Sequence, residues 1–384
     1  MQVELKEFQE ACKVILGAID TRLSTTSQED SGYNALELVA KDSKLYLNVA
    51  GKEYYTSVTL PEDTKDITEF RAVIDAKVFL KLISKLTSKY VDLYTDDKNL
   101  MVMCSGTYLF PLKVINGELI KLPKISINNV TTEFPIDSAV LNSILKYNGK
   151  DLESTSSEAR RRPSQDLFYL DQDGCVTWSE SSICVNNFKL VQPVKVFLNP
   201  KTVKLFKLFK DGEVNFTLGF EEVGAKLQTR IRFYDDTIDI TSIAQNDISL
   251  MNSIPLNAIR DWVNKTYPYS VNLNTEDFCG AIQRLMLFDT NLQTELDKYA
   301  QFCLNSNSIT ITKSGNKEVV DYDSTLLPDD TEVTLYLNLD KLKKVLENSE
   351  EIGLTLSFGP AEKAILLSKG NVKNIIAVSQ PKGI

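Results

Sequence analysis

The 384-residue chain contains no histidine. That absence excludes Ser-His-Asp and Cys-His nucleophilic catalysis and every metal site that needs an imidazole ligand. Cysteine is scarce as well: Cys12, Cys104, Cys175, Cys184, Cys279 and Cys303 lie far apart, with no CxxC pair and no metal-ligand spacing. They read as reduced, mostly buried thiols of a cytoplasmic protein. No run approaches 18 apolar residues, so no membrane-spanning helix is expected. The start, Met1-Gln2-Val3-Glu4-Leu5-Lys6-Glu7, has no basic stretch leading into an apolar one and predicts no secretory signal. Basic residues are the minority, 43 against 52 acidic, for a net charge of -9. Attraction of the whole surface to nucleic acid is thereby disfavoured, although a net charge does not say where the charges lie.

What is present is an ordinary soluble composition, 43% hydrophobic and 25% charged, with length for two to four domains at roughly 100 to 200 residues each. The chain repeats one pattern three times. An extended run leads through a capping residue into an apolar-periodic helix at Phe70 to Asp75 and Val78 to Leu86, at Val194 to Asn199 and Val203 to Phe209, and at Val333 to Asn338 and Leu342 to Leu346. Asp75, Asn199 and Asn338 occupy the cap, where a side-chain oxygen accepts from the unpaired amides of the first turn.

Each capped helix is followed by two alternating strands and preceded by a strand meander, around Ala35 to Leu60, Leu167 to Val191 and Gln301 to Leu326. Further upstream lies another amphipathic helix, marked by Leu5, Phe8, Cys12, Ile15 and Ile19, then by Val140, Leu141, Ile144 and Leu145, then by Phe278, Ile282, Leu285 and Met286. The pattern predicts an α+β fold of three modules, 1–128, 129–250 and 251–384, each with two helices packed on antiparallel sheet. Linkers are expected at Ile125 to Thr132 and at Ser249 to Ser270, the second with a helical turn at Leu256 to Val263.

Positive charge is concentrated on the second helix of each module. Lys77, Lys81, Lys85 and Lys89 recur at i, i+4, which lines them along one edge while Phe79, Leu82, Ile83 and Leu86 face the core. Lys201, Lys204, Lys207 and Lys210 repeat the device in module two, and Lys341, Lys343 and Lys344 in module three. These helices carry +3, +3 and +1, the upstream helices -1, +1 and -2, so the six hold +5 and the rest of the chain -14. One lysine-rich edge is commonly only a solvated face. The same bias on three corresponding helices points to sequence-independent attraction to phosphates, and the absence of interleaved aromatics argues against base stacking or base readout.

The whole chain, as three modules in this order together with its final residues, resembles the bacterial replicative polymerase processivity factors, the β sliding clamps. The resemblance implies a head-to-tail homodimeric ring that encircles duplex DNA, tethers the DNA polymerase, is placed by a clamp loader, uses no cofactor and does no chemistry. It implies that the helix lysines, with Lys146 and the loop residues Arg22, Arg160 and Arg161, face DNA. Phe110 and Leu112 resemble the apolar pair that module one presents at the subunit boundary, and Leu287 and Phe288 resemble the residues that receive it. Pro163, Ser179, Ser182, Ile183, Cys184, Val378, Pro381 and Lys382 fall where the family builds its partner-peptide pocket. This sequence departs there: the family's His-Arg pair is missing, and Gln380 and Lys382 replace two methionines of the usual tail. A pocket without those deformable side chains should prefer a different, more polar or acidic ligand. Such divergence suits a bacteriophage-encoded member acting in an infected cell.

Two other readings differ in kind. One is a clamp-like monomer that binds polymerase or loader peptides without encircling DNA. The other is a metal-dependent nuclease using Asp96-Asp97, Asp235-Asp236 or Asp329-Asp330, pairs that sit at strand turns, where aspartate is favoured for local hydrogen bonding.

Overall fold

A computed structural model describes residues 1–19, 32–33, 35–60, 69–149, 167–179, 182–224, 226–288, 298–346, 353–360 and 362–378. The chain opens with β1 (Gln2–Glu4), α1 (Leu5–Leu16), β2 (Ala35–Lys41), β3 (Lys44–Ala50), β4 (Tyr54–Leu60) and β5 (Phe70–Asp75). It continues through α2 (Ala76–Ile83), β6 (Tyr90–Thr95), β7 (Asn99–Met103), β8 (Thr107–Pro111) and a small hairpin, β9 (Val114–Ile115) and β10 (Glu118–Leu119). Next come β11 (Asn129–Asp137), α3 (Ser138–Ser143) with a π turn at Ile144–Asn148, β12 (Phe168–Asp171), β13 (Gly174–Trp178), β14 (Ser182–Asn187) and β15 (Lys195–Leu198). Then follow α4 (Pro200–Leu205) with a 3-10 turn at Phe206–Leu208, β16 (Glu213–Val223), β17 (Lys226–Tyr234), β18 (Ile238–Ile243), α5 (Ile248–Ser253) and α6 (Leu256–Asn264). The remaining elements are β19 (Tyr269–Asn274), α7 (Thr275–Met286), β20 (Tyr299–Leu304), β21 (Ser308–Lys313), β22 (Asn316–Asp321), β23 (Ser324–Thr325), β24 (Val333–Asn338), α8 (Leu339–Leu346), β25 (Gly353–Phe358), β26 (Ala364–Lys369) and β27 (Val372–Ala377).

The chain is α+β, with every strand pairing antiparallel. It divides into two compact units, Met1–Leu141 with Lys201–Gln245, and Asn142–Pro200 with Asn246–Ile384. The first holds a four-stranded sheet, β1-β6-β7-β8, and an eight-stranded sheet, β11-β16-β17-β18-β4-β3-β2-β5. The second holds a nine-stranded sheet, β15-β12-β13-β14-β27-β26-β25-β19-β23, and a four-stranded sheet, β22-β21-β20-β24. Strands from the middle third of the chain therefore enter both large sheets, joined by the β4–β18 and β14–β27 ladders.

In the first unit α1 buries Leu5, Phe8, Cys12 and Ile15, the face predicted from its periodicity. The rings of Phe134, Phe216, Phe233 and Phe206 pack in series, each about 5 Å from the next, under the eight-stranded sheet. In the second unit, alternate residues of β26 go to opposite sides: Ile365 and Leu367 join the core under α7 and α8, while Ala364 and Leu366 join a second core with Ile259 and Val263 of α6. That sheet is buried on both faces. Arg260 fixes α6 laterally, its guanidinium 2.7 Å from the carboxylate of Asp171 at the end of β12.

Three expectations need correction. The stretch Ile125 to Thr132 is a linker only as far as Asn128, because the β-branched run from Asn129 pairs with β16. Ser249 to Ser270 is largely two helices rather than one turn; Asp247 caps α5 by accepting from the amides of Ser249 and Leu250. Of the six thiols only Cys12, Cys175 and Cys184 are buried, and the other three are half-buried.

Candidate nucleic-acid interface

The lysines of α2 sit on a short, well-terminated helix. The Asp75 carboxylate accepts from the amides of Lys77 (3.0 Å) and Val78 (3.3 Å), as the cap requires. At the other end the Gln9 side-chain amide donates to the carbonyls of Ile83 (2.9 Å) and Leu86 (3.0 Å), satisfying groups that a helix end leaves unpaired. Lys77, Lys81 and Lys85 are exposed, Lys85 already in the turn. Lys89 is not part of the helical row: it stands before β6 with its ammonium 5.1 Å from the centre of the Tyr90 ring. The inward face is Ala76, Phe79, Leu80 and Ile83, with Leu82 only half-buried, so Leu80 takes the place expected of Leu82.

The α4 segment is more regular. Lys201, Lys204, Lys207 and Lys210 are all exposed, and every residue between them is buried. A three-residue repeat drifts around an α-helix, but the change to 3-10 geometry at Phe206 brings i and i+3 side chains into line. This segment packs closely on α1: a Cβ on Gly17 would lie 3.2 Å from Cε of Lys207. Lys210, the last of the row, lies 3.7 Å from Glu10. On α8, capped by Asn338 through the Lys341 amide (3.2 Å), Lys341, Lys343 and Lys344 are half-buried rather than fully exposed. Lys146 is half-buried on the π turn, 5.4 Å from the centre of the Tyr147 ring.

β8 pairs only with β7 among the described residues, so it is an edge strand. Phe110, however, points into the unit's own core at 7% exposure, and the apolar side chain facing outward is Leu109 at 58%. Leu112 is half-buried, its amide donating to the Lys98 carbonyl. Leu287 and Phe288, just past α7, are 74% and 57% exposed.

The predicted partner-pocket residues separate into roles. Ser179 and Ser182 bond to each other through hydroxyls 2.9 Å apart and through the Ser179 amide to the Ser182 carbonyl, so they build the connection between β13 and β14. Cys184 is 1% exposed, its thiol directed to the Tyr147 carbonyl. Ile183 packs against the core under α6, and Val378 against the core under α7 and α8. Arg22, Arg160, Arg161, Pro163, Pro381 and Lys382 lie outside the described residues.

In two of the acidic pairs the first aspartate serves a turn. Oδ1 of Asp96 accepts from the amides of Lys98 and Asn99, bonds that hold its carboxyl below the usual range; Oδ1 of Asp235 accepts from the amides of Thr237 and Ile238. Among the described residues, no group of three or more acidic or cysteine side chains could hold a metal ion, and no helix is long and apolar enough to cross a membrane. Sequence reasoning missed the outward-facing Leu109 and the helix-terminating role of Gln9. The signal for Gln9 was slight, a lone amide on the polar side of an amphipathic helix.

No protein-family model matches the chain, and no curated protein does. Solved structures do. The DNA polymerase III subunit beta of Pseudomonas aeruginosa is 12% identical with a TM-score of 0.78, covering 99% of both chains. The DNA polymerase sliding clamp of Bacillus subtilis is 14% identical with a TM-score of 0.77, covering 99% of this chain and 98% of that one. The DNA polymerase III beta chain of Streptococcus pneumoniae is 14% identical with a TM-score of 0.78, covering 99% of both. Over almost its entire length, the chain has the fold of a bacterial DNA polymerase sliding clamp.

Proposed function

We propose that the chain is a DNA sliding clamp: two copies joined head to tail close a ring around duplex DNA and tether a replicative polymerase as a non-catalytic processivity factor. Each copy then divides into the modules 1–128, 129–250 and 251–384. The observation that carries the reading is strand order. The half-sheets β1-β6-β7-β8, β11-β16-β17-β18 and β19-β25-β26-β27 occupy matching places in the three modules, as do β5-β2-β3-β4, β15-β12-β13-β14 and β24-β20-β21-β22. Within the chain, β18 joins β4 and β27 joins β14, each antiparallel. The positions left over are β8 and β22, the outer strands of their sheets. Pairing β8 of one copy with β22 of another, twice, would repeat the β18–β4 and β27–β14 kind of junction and close the assembly.

The lysine rows of α2 and α4 support the DNA partner. Exposed ammoniums facing a duplex across water are screened within about 8 Å at physiological salt, so they attract without gripping, and retention comes from ring topology. The acidic remainder disfavours non-specific association with DNA outside the ring. The polymerase and the clamp loader would dock on the second unit through short segments near Ile183; Pro163, Pro381 and Lys382, expected at the same site, lie outside the described residues. Light scattering tests the assembly: a mass near twice 43.2 kDa is expected. A 43.2 kDa species at micromolar concentration that still binds polymerase peptides would favour the monomeric alternative.

A further inference from the structure

We propose that a groove in the first unit is a docking site for a short basic peptide carrying a large apolar side chain. Four segments form it: α1 from its cap as far as Val14, the end of β4, the turn into β18, and the end of the 3-10 turn with the residues that follow. Its volume is about 570 Å³, within the range of roughly 300 to 1,000 Å³ that buries a small ligand or one or two anchoring side chains. Val14, Val58, Leu60, Leu208 and Ile238 supply apolar lining.

The rim is acidic. Glu4, Glu7 and Glu10 follow one another along one side, and Asp211 and Asp235 stand among the other lining residues. Only Lys6 and Lys210 oppose them, and Lys210 is already 3.7 Å from Glu10. Carboxylates thus outnumber ammoniums around an apolar floor. That combination repels phosphate and favours lysine or arginine flanking an apolar anchor, the chemistry of a basic peptide and not of DNA. Of the lysines on α2 and along the α4 segment, only Lys210 is among the lining residues. Docking here does not depend on ring closure, so it can be measured on the free chain without DNA.

The probe is a fluorescein-labelled octapeptide, Lys-Lys-Ala-Leu-Phe-Ala-Lys-Lys, titrated by anisotropy with the full chain at low salt. Saturable binding is expected, weakened about tenfold or more when Glu7→Lys and Asp211→Lys are combined, and similarly when Leu-Phe in the probe becomes Ser-Ser. Lys81→Glu, on the lysine row, should leave it unchanged. Should the double reversal fail to fold, Glu7→Gln with Asp211→Asn is expected to weaken binding about threefold or more. Equal binding of the peptide with glutamate in place of each lysine, or indifference to both double variants, overturns the proposal. So does displacement of the peptide from the unaltered chain by a short DNA duplex, which would make the groove part of the DNA surface.

Discussion

Phe110 packs edge-on against Phe79, with ring centroids 5.1 Å apart and planes at 74°. Phe79 in turn meets Phe8 of α1 at 6.0 Å, so the edge strand β8 is tied through α2 to α1 inside a single unit. Phe110→Ala should therefore cost about 3 to 5 kcal/mol of stability, and Phe110→Glu should prevent folding rather than release folded monomers. Urea unfolding checks this. A Phe110→Glu chain that melts normally at half the mass would contradict it.

The residue to change at the boundary is Phe288. At 57% exposure it contributes little to the fold of its own unit, so Phe288→Glu should leave the melting temperature of the isolated chain nearly unaltered. Buried between two copies, the same charge would be unpaired and costly. Light scattering is expected to show a shift toward 43.2 kDa. An unchanged dimer mass would remove Phe288 from the interface.

Much of this fold was legible because the signals were local. Asp75 and Asn338 announced their helices, and the apolar faces of α1 and α7 followed directly from 3.6-residue spacing. Phe110 was not legible in orientation, because Tyr108-Leu109-Phe110-Pro111-Leu112 is apolar throughout and alternation cannot choose the inward side. Lys89 looked helical because i, i+4 spacing continues past the point where Gln9, 74 residues away from Ile83, ends the helix. The β4–β18 and β14–β27 ladders join strands remote in sequence, and the acidic groove draws on separate segments of the first unit; neither leaves a mark on any one stretch of chain.

Lys204 and Lys207 should act as phosphate attractors of no sequence preference. Replacing both with Gln is expected to lower the slope of log affinity against log salt by about 1.8 for duplexes of any sequence. Binding measured across a range of salt concentrations checks this. A loss confined to one sequence, or no change in slope, would contradict it.

Arg284 of α7 holds Glu318 of β22 through two hydrogen bonds of 2.9 and 2.8 Å, which lower the Glu318 carboxyl below its ordinary 4.5. A depressed carboxyl stabilises the fold above its unfolded pKa and ceases to do so as pH falls through the folded one. The native chain should therefore melt slightly above Glu318→Gln at pH 7, and the gap should close on acidification below about 4.5. Melting curves of the two chains from pH 7 to pH 3 test it; a gap that widens toward acid would be the wrong sign.

The most direct measurement of the central claim is topological. The chain, placed on nicked circular DNA by its clamp loader, should remain through gel filtration at a salt concentration that abolishes electrostatic binding, and should be lost once a restriction enzyme linearises the circle. Equal loss from circular and linear DNA would show that the protein binds the duplex without encircling it, and the ring reading would be wrong.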